Sequence, residues 1–214
     1  MIAQTMDIAR ADTIAGLVKG LAVLESCDTE RQRLNATQAA ERAGLTRAAA
    51  RRHLLTLAHV GYLETDGSFF WLSARTLRLA GAYLASSRLP RVIQPALNRL
   101  AAETQDVYSA VVLDGDEVVI VARSAGLAPS NQLLAYGRHL GARLPAHATS
   151  TGRVLLAALP KAELNAWLAG RSLPRLTPRT TTELRSFKAL LAQAAAQDFC
   201  IANDEHELGV HAIA

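Results

Sequence analysis

Residues 44–72 read GLTRAAARRHLLTLAHVGYLETDGSFFWL, and the order of elements in this stretch decides the fold of the first half of the chain. Gly44 stands where a helix wants a left-handed C-cap. Thr46 follows as an N-cap for a helix over Arg47–Val60, whose inward positions are Ala50, Leu54 and Leu57. Gly61 stops that helix. Tyr62–Thr65 and Phe69–Leu72 are two β-rich runs around Asp66-Gly67, the dipeptide of tight hairpin turns.

Upstream, Asn35 or Thr37 opens a short helix through Ala39, Ala40 and Ala43. Before it, Ile14, Leu17, Leu21 and Leu24 repeat at helical spacing over Thr13–Ser26, with Asp12 or Thr13 as cap. Downstream, Ser73 caps a helix over Thr76–Ser87 carrying Leu77, Ala80 and Leu84. Helix, short helix, glycine turn, helix and hairpin is the order of a winged helix-turn-helix.

The third helix must hold the core by one face and offer the other. Arg52 lies roughly 160° from Ala50 around the helix and so projects outward, with Ala48, Ala49, Thr56 and His59. Arg52 suits a guanine edge, and Ala48 and Ala49 allow close approach to thymine methyls. Arg47, Arg51 and the amides after Thr46 suit phosphates. The wing tip, Asp66-Gly67-Ser68, has no basic residue, so little affinity is expected from it. These residues read as a candidate interface for a double-stranded DNA operator.

The charge agrees in its distribution rather than its size. The 214 residues carry 23 Lys+Arg against 19 Asp+Glu, a formal +4. Residues 42–59 hold four arginines, two histidines and no acid. Half the residues are hydrophobic and a fifth charged, which fits a soluble globular chain of one or two domains. The 41 alanines and 33 leucines lean helical. Two cysteines are too few for a disulfide scaffold, and no apolar run approaches the ~20 residues of a membrane span. With no signal peptide visible, a cytoplasmic location is expected.

Leu89–Pro90 reads as a domain boundary, since Pro disfavours a continuous helix. A helix over Arg91–Thr104, with Val92, Ala96 and Leu100 inward, then leads into Val107–Leu113 and Val118–Arg123, a hairpin around Asp114-Gly115-Asp116. Arg143–Ala146 reads as a strand, Ser150–Leu159 as an apolar helix, and Pro160 as the start of another. Thr182 caps a helix through Phe187, Leu190 and Leu191. Phe199–Asn203 and Val210–Ala214 read as strands. The run Thr149-Ser150-Thr151-Gly152 stands at a helix start, where free amides and the positive dipole end suit a carboxylate. As residues alone it reads more readily as an ordinary N-cap.

Three separated blocks carry a resemblance. The stretch from Gly44 to Leu57 with Gly61-Tyr62-Leu63, the block RLPAHATSTGRVLLA over 143–157, and EHELGVHAIA over 205–214 resemble IclR-type transcriptional regulators. The likeness is strongest to the branch controlling protocatechuate and β-ketoadipate catabolism. It implies an α+β chain: a winged helix-turn-helix over 1–75, a linker helix over 76–89, and over 90–214 a GAF-like α/β effector-binding domain with an antiparallel sheet. It implies a homodimer or tetramer on an operator, a small carboxylate effector, no cofactor and no membrane partner. Carried over by position, Ser150 and Thr151 line the effector carboxylate, and Asn203 and Ala212 face the same cavity. From the residues alone, Gly152 reads as leaving a ligand room, and Tyr136, Arg138 and His147 read equally as pocket, surface or core residues. Two departures stand out: His53 replaces an apolar residue, and the family continues past the position of Ala214 with a strand and helix, so the domain is expected to lack its last strand and helix.

Two other readings arise from the residues. His147, Ser150 and Asp204 are the residue types of an acyl-transfer triad, but no Gly-x-Ser-x-Gly elbow is present. Cys200, His206 and His211 could serve a metal-responsive regulator, but their spacing is not that of structural zinc patterns, and no metal ligand is assigned.

Overall fold

The computed structural model describes residues 8–28, 31–124 and 139–214. They form two compact units that divide between Ser86 and Ser87. The division falls ahead of Leu89–Pro90, because Pro90 lies in the first turn of a helix and does not break one. There its missing N–H has no helical acceptor to lose.

In the first unit, α1 (Ala15–Glu25), α2 (Ala36–Ala43) and α3 (Arg47–His59) precede a hairpin of β1 (Leu63–Thr65) and β2 (Phe70–Leu72), then α4 (Leu77–Ser86). Asn35, not Thr37, opens α2. Its Oδ1 accepts from the amides of Thr37 and Gln38, while the Gln38 side chain accepts from the Asn35 amide, each at 3.0 Å. Gly44 closes α2 at φ 63°, a left-handed conformation that costs glycine nothing. Thr46 caps α3 through the Ala49 amide.

Val23, Ala39, Ala40, Ala50, Leu54, Leu63 and Phe70 form the core of this unit. The alanines let the helices close on one another. The apolar stripe read on α1 meets the core through Leu24 and not along its length. Ile14, Leu17 and Leu21 are 70%, 59% and 48% exposed, and Val23 is the residue fully buried. α1 carries apolar residues all round, so spacing alone could not choose the inward side. Neither Asp12 nor Thr13 caps it, since residues 10–12 form a separate 3-10 turn. His53 is half-buried with Nδ1 facing Gly20 of α1, where a Cβ would come within 3.6 Å. Its departure from the apolar pattern therefore falls on helix packing.

The hairpin turns through residues 66–69, where Asp66 Oδ1 accepts from the amides of Ser68 and Phe69. Leu34 bridges Phe70 in both directions at 2.9 Å and lays the segment before α2 against the wing. Ser73 caps a 3-10 turn over Ala74–Thr76 that leads into α4.

The second unit begins with α5 (Arg88–Thr104). An antiparallel sheet follows, in the order β3 (Ser109–Asp114), β4 (Glu117–Arg123), β5 (Arg143–Pro145). Then come α6 (Ser150–Ala157), α7 (Lys161–Leu168), α8 (Leu184–Gln197) and a hairpin of β6 (Ile201–Asn203) and β7 (His211–Ile213), which forms its own two-stranded sheet.

α5 packs on β3 and β4 through Leu97 and Ala101, one residue round from the expected stripe. Val92 is left 74% exposed. The Gln94 amide donates to Arg123 O at 2.7 Å and fixes this rotation. α8 begins after Glu183 without a side-chain cap, so Thr182 does not play that part. Val118, Leu156, Leu168, Leu173, Phe187 and Leu191 fill the core on one face of the sheet.

Gly152 is where α6 meets the 3-10 turn Ala146–Ala148. A Cβ there would sit 2.2 Å from Ala146 O, an overlap with backbone that cannot swing away. The residue therefore gives room to protein, not to a ligand. Gly152→Ala is expected to lower stability by about 1–3 kcal/mol or more through overpacking. A urea unfolding midpoint unchanged from wild type would contradict this.

Candidate DNA-reading helix and candidate ligand cavity

On α3, Ala50 and Leu54 are buried, while Arg47, Ala48, Arg51, Arg52 and Thr56 are exposed together. Ala49 is half-buried. The Thr46 side chain is engaged as the cap, and the Thr56 hydroxyl donates to Arg52 O at 2.8 Å. The exposed face thus offers three guanidinium groups with small residues between them. The wing also carries charge that its own tip lacks. Arg33 stacks over the Trp71 ring at 4.1 Å and pairs with Asp66 at 3.4 Å. Its position before α2 gave no sign of this, because the Leu34–Phe70 bridge brings it there.

The second unit holds a cavity of about 560 Å³ between the sheet, the start of α6 and the β6–β7 hairpin. Val107, Val111, Ile120 and Leu144 give it apolar walls. Ser150 and Thr151 line it at the N-terminus of α6, and Ala202 and Ala212 line it from the hairpin. Ser150 is 1% exposed, and its hydroxyl has no hydrogen-bond partner among the described residues. Thr149 is the cap of α6. It accepts from the Gly152 amide at 3.2 Å and donates to Pro145 O at 3.1 Å. Capping therefore occupies Thr149 and leaves the next two residues to the cavity.

Asn203 is not among the lining residues. Ala202 pairs with Ala212, and Asn203 pairs with His211. Successive side chains point to opposite faces of a strand, so Asn203 points away from the face that carries the alanines, while its partner His211 still reaches the cavity and is among its lining residues. His211 Nδ1 meets Asn203 Oδ1 at 3.1 Å. His147 also leaves the cavity. It is buried, its Nε2 lies 2.9 Å from Pro174 O, and it borders a separate groove with Trp167 and Arg171. Burial pushes its imidazole below the ordinary value; the bond to Pro174 opposes this and the Arg153 charge adds to it. Tyr136 and Arg138 lie outside the described residues.

A residue pair without a counterpart in the sequence reading stands beside the cavity, which Glu205 lines. Arg153, 1% exposed, donates from both terminal nitrogens to the Glu205 carboxylate at 2.6 and 2.5 Å, and from Nε to His147 O at 2.9 Å. Glu205 also accepts from the Thr181 amide at 3.0 Å, and its carbonyl accepts from the Thr180 hydroxyl at 2.6 Å. The available signal was a lone charge, Arg153, inside the otherwise apolar and small helix STGRVLLA.

The triad and metal arrangements do not assemble. Asp204 accepts from the Gly209 amide and pairs with Arg179, while His147 is held by Pro174. Burial raises the Cys200 thiol. Among the described residues no three His, Cys, Asp or Glu side chains stand together to hold a metal ion. Nor is any helix among them long and apolar enough to cross a membrane.

Comparison with known proteins agrees with both halves. Residues 16–67 match the IclR helix-turn-helix domain, and residues 81–214 match the bacterial transcriptional regulator IclR C-terminal domain. The chain belongs to the IclR family of bacterial transcriptional regulators, which are not enzymes. Two Acinetobacter baylyi proteins are similar over 97% of the chain. One is a p-hydroxybenzoate hydroxylase transcriptional activator, 51% identical and covered over 77% of its length; the other is a Pca operon regulatory protein, 49% identical and covered over 74%. The crystal structure of a double mutant of the inducer-binding domain of the PobR transcription factor from Acinetobacter, in complex with 3-hydroxybenzoic acid, is 48% identical. It covers 59% of this chain and 73% of that one, with a TM-score of 0.55.

Burial works to raise the Glu205 carboxyl, but the bonds from Arg153 and the Thr181 amide outweigh it and hold its pKa below the ordinary 4.5. Its stabilisation is therefore complete above pH 4.5 and is lost as pH falls through the lowered value. Glu205→Gln should cost about 3–5 kcal/mol at pH 7, because it leaves a buried guanidinium unmatched. It should also flatten the acid limb of stability below pH 4.5. Urea midpoints between pH 7 and pH 3 measure both effects, and an acid limb as steep as wild type would refute the assignment.

Proposed function

We propose that this chain is a ligand-responsive regulator whose helix α3 reads a double-stranded DNA operator and whose cavity takes a small aromatic carboxylate of the hydroxybenzoate class. One observation carries the ligand half: a buried Ser150 hydroxyl with no partner among the described residues, at the N-terminus of α6, facing a cavity with apolar walls. A carboxylate supplies the missing partner and meets the first amides of the helix, which have no acceptor within it. A single aromatic ring suits the apolar walls, and the volume falls in the usual range for small-molecule sites. The relatives support this choice, since one activates p-hydroxybenzoate hydroxylase transcription and a related domain holds 3-hydroxybenzoic acid.

In this reading Arg52 contacts base edges, Ala48 and Ala49 admit close approach, and Thr46, Arg47, Arg51 and Thr56 position the helix on the backbone. The protein works in the cytoplasm as a homodimer or tetramer. One short recognition helix supplies little affinity, and two-fold symmetry doubles it on a palindromic site. The exposed Ile14, Leu17, Val18 and Leu21 of α1 give a second copy an apolar face to cover.

3-Hydroxybenzoate and 4-hydroxybenzoate should raise the melting temperature of the full chain, because a ligand that binds only the folded state must stabilise it. The Ser150→Ala, Thr151→Ala double variant should lose most of that shift while retaining operator binding. Loss of both together would point to misfolding; an undiminished shift would remove these residues from the site. Separately, Arg52→Ala should weaken specific operator binding by about 1–3 kcal/mol. Equal affinity in a gel-shift titration would exclude Arg52 from base contact.

A further inference from the structure

The register of β3 against β4 is irregular. Ser109 pairs with Arg123 and Ala110 with Ala122, but Val111 pairs with Ile120. Val121 is therefore the extra residue of a β-bulge. Ile120 and Arg123 are three residues apart and would point to opposite faces of a regular strand. The inserted residue puts both on one face, the re-aiming that bulges produce. That face is a wall of the cavity, lined by Ser109, Val111, Ile120 and Arg123. Were the strand regular, Ala122 would take the place of Arg123. The bond from Gln94 to Arg123 O anchors the backbone just past the bulge.

The charge balance of the lining gives this placement its meaning. Among the described residues that line the cavity, Arg123 is the sole lysine or arginine, and Glu205 and Glu207 are the acids. Glu205 is already matched by the buried Arg153. Glu207 disfavours an entering anion. A hydroxyl and the partial charge of a helix end offset only part of the cost of taking a carboxylate out of water.

We infer that Arg123 is a specificity-determining residue of the cavity: its guanidinium makes a carboxylate ligand preferred over the uncharged analogue of the same shape. The inference rests on reading the cavity as an effector site, and it adds a residue that neither the family blocks nor the helix terminus indicated. A charge-assisted hydrogen bond strengthens binding of the anion and not of a neutral amide.

Isothermal titration of the full chain with 3-hydroxybenzoate and with 3-hydroxybenzamide tests this. Wild type should bind the acid at least about tenfold more tightly than the amide. Arg123→Gln should lose about tenfold or more for the acid and leave the amide unchanged, while Arg123→Lys should retain a preference for the acid. Ligand-free melting curves establish that each variant is folded. Undiminished affinity for the acid in Arg123→Gln overturns the inference, as does an equal loss for both ligands, which marks a structural role. If wild type binds neither compound, the effector reading itself falls, and this inference with it.

Discussion

The effector unit is organised around a guanidinium with almost no access to water. Arg153 joins helix α6 to the turn before β7, and its partner Glu205 in turn holds the segment 177–181. Withdrawing two charges from water is costly, so such a pair stabilises only when every donor and acceptor is matched. Here the matching extends to His147 O, the Thr181 amide and the Thr180 hydroxyl. The same requirement makes the pair demanding. Three chain segments must arrive together before either charge is tolerated. The cavity depends on this, because α6 forms one of its walls and the hairpin beyond Glu205 forms another.

The reader unit uses a different constraint, the closeness of backbones. Ala39, Ala40 and Ala50 bring α2 and α3 together, and Gly44 turns the chain between them. This leaves α3 with a narrow buried side and a broad exposed one. Similar economy appears in α6, where Gly152 allows helix backbone to rest on Ala146. In both units small residues fix geometry, and the candidate site residues stand on the elements those residues position.

The winged helix-turn-helix was legible because its signals are local. Caps, turn glycine, hairpin dipeptide and the outward arginines all act within a few residues of themselves. Ser150 and Thr151 were legible as a helix start, since cap, dipole and free amides need no tertiary information. The exposed side of α1 was not legible. Its apolar residues lie all round the helix, so spacing admitted more than one inward face, and packing selected Val23. α5 had the same ambiguity and settled one residue away from the expected stripe.

For the cavity, the sequence by itself determined the elements: a capped apolar helix, two late strands and a hairpin, each written in residues that interact with near neighbours. The tertiary structure alone decided which side chains those elements present to one another. Strand register turned Asn203 away and Ala202 inward, and one bulged residue at Val121 turned Arg123 toward the cavity. The ion pair of Arg153 and Glu205 spans 52 residues of chain. Alternation along a strand is local, but the partner that fixes its register is distant. A one-residue shift exchanges the two faces, and nothing in the local sequence records it.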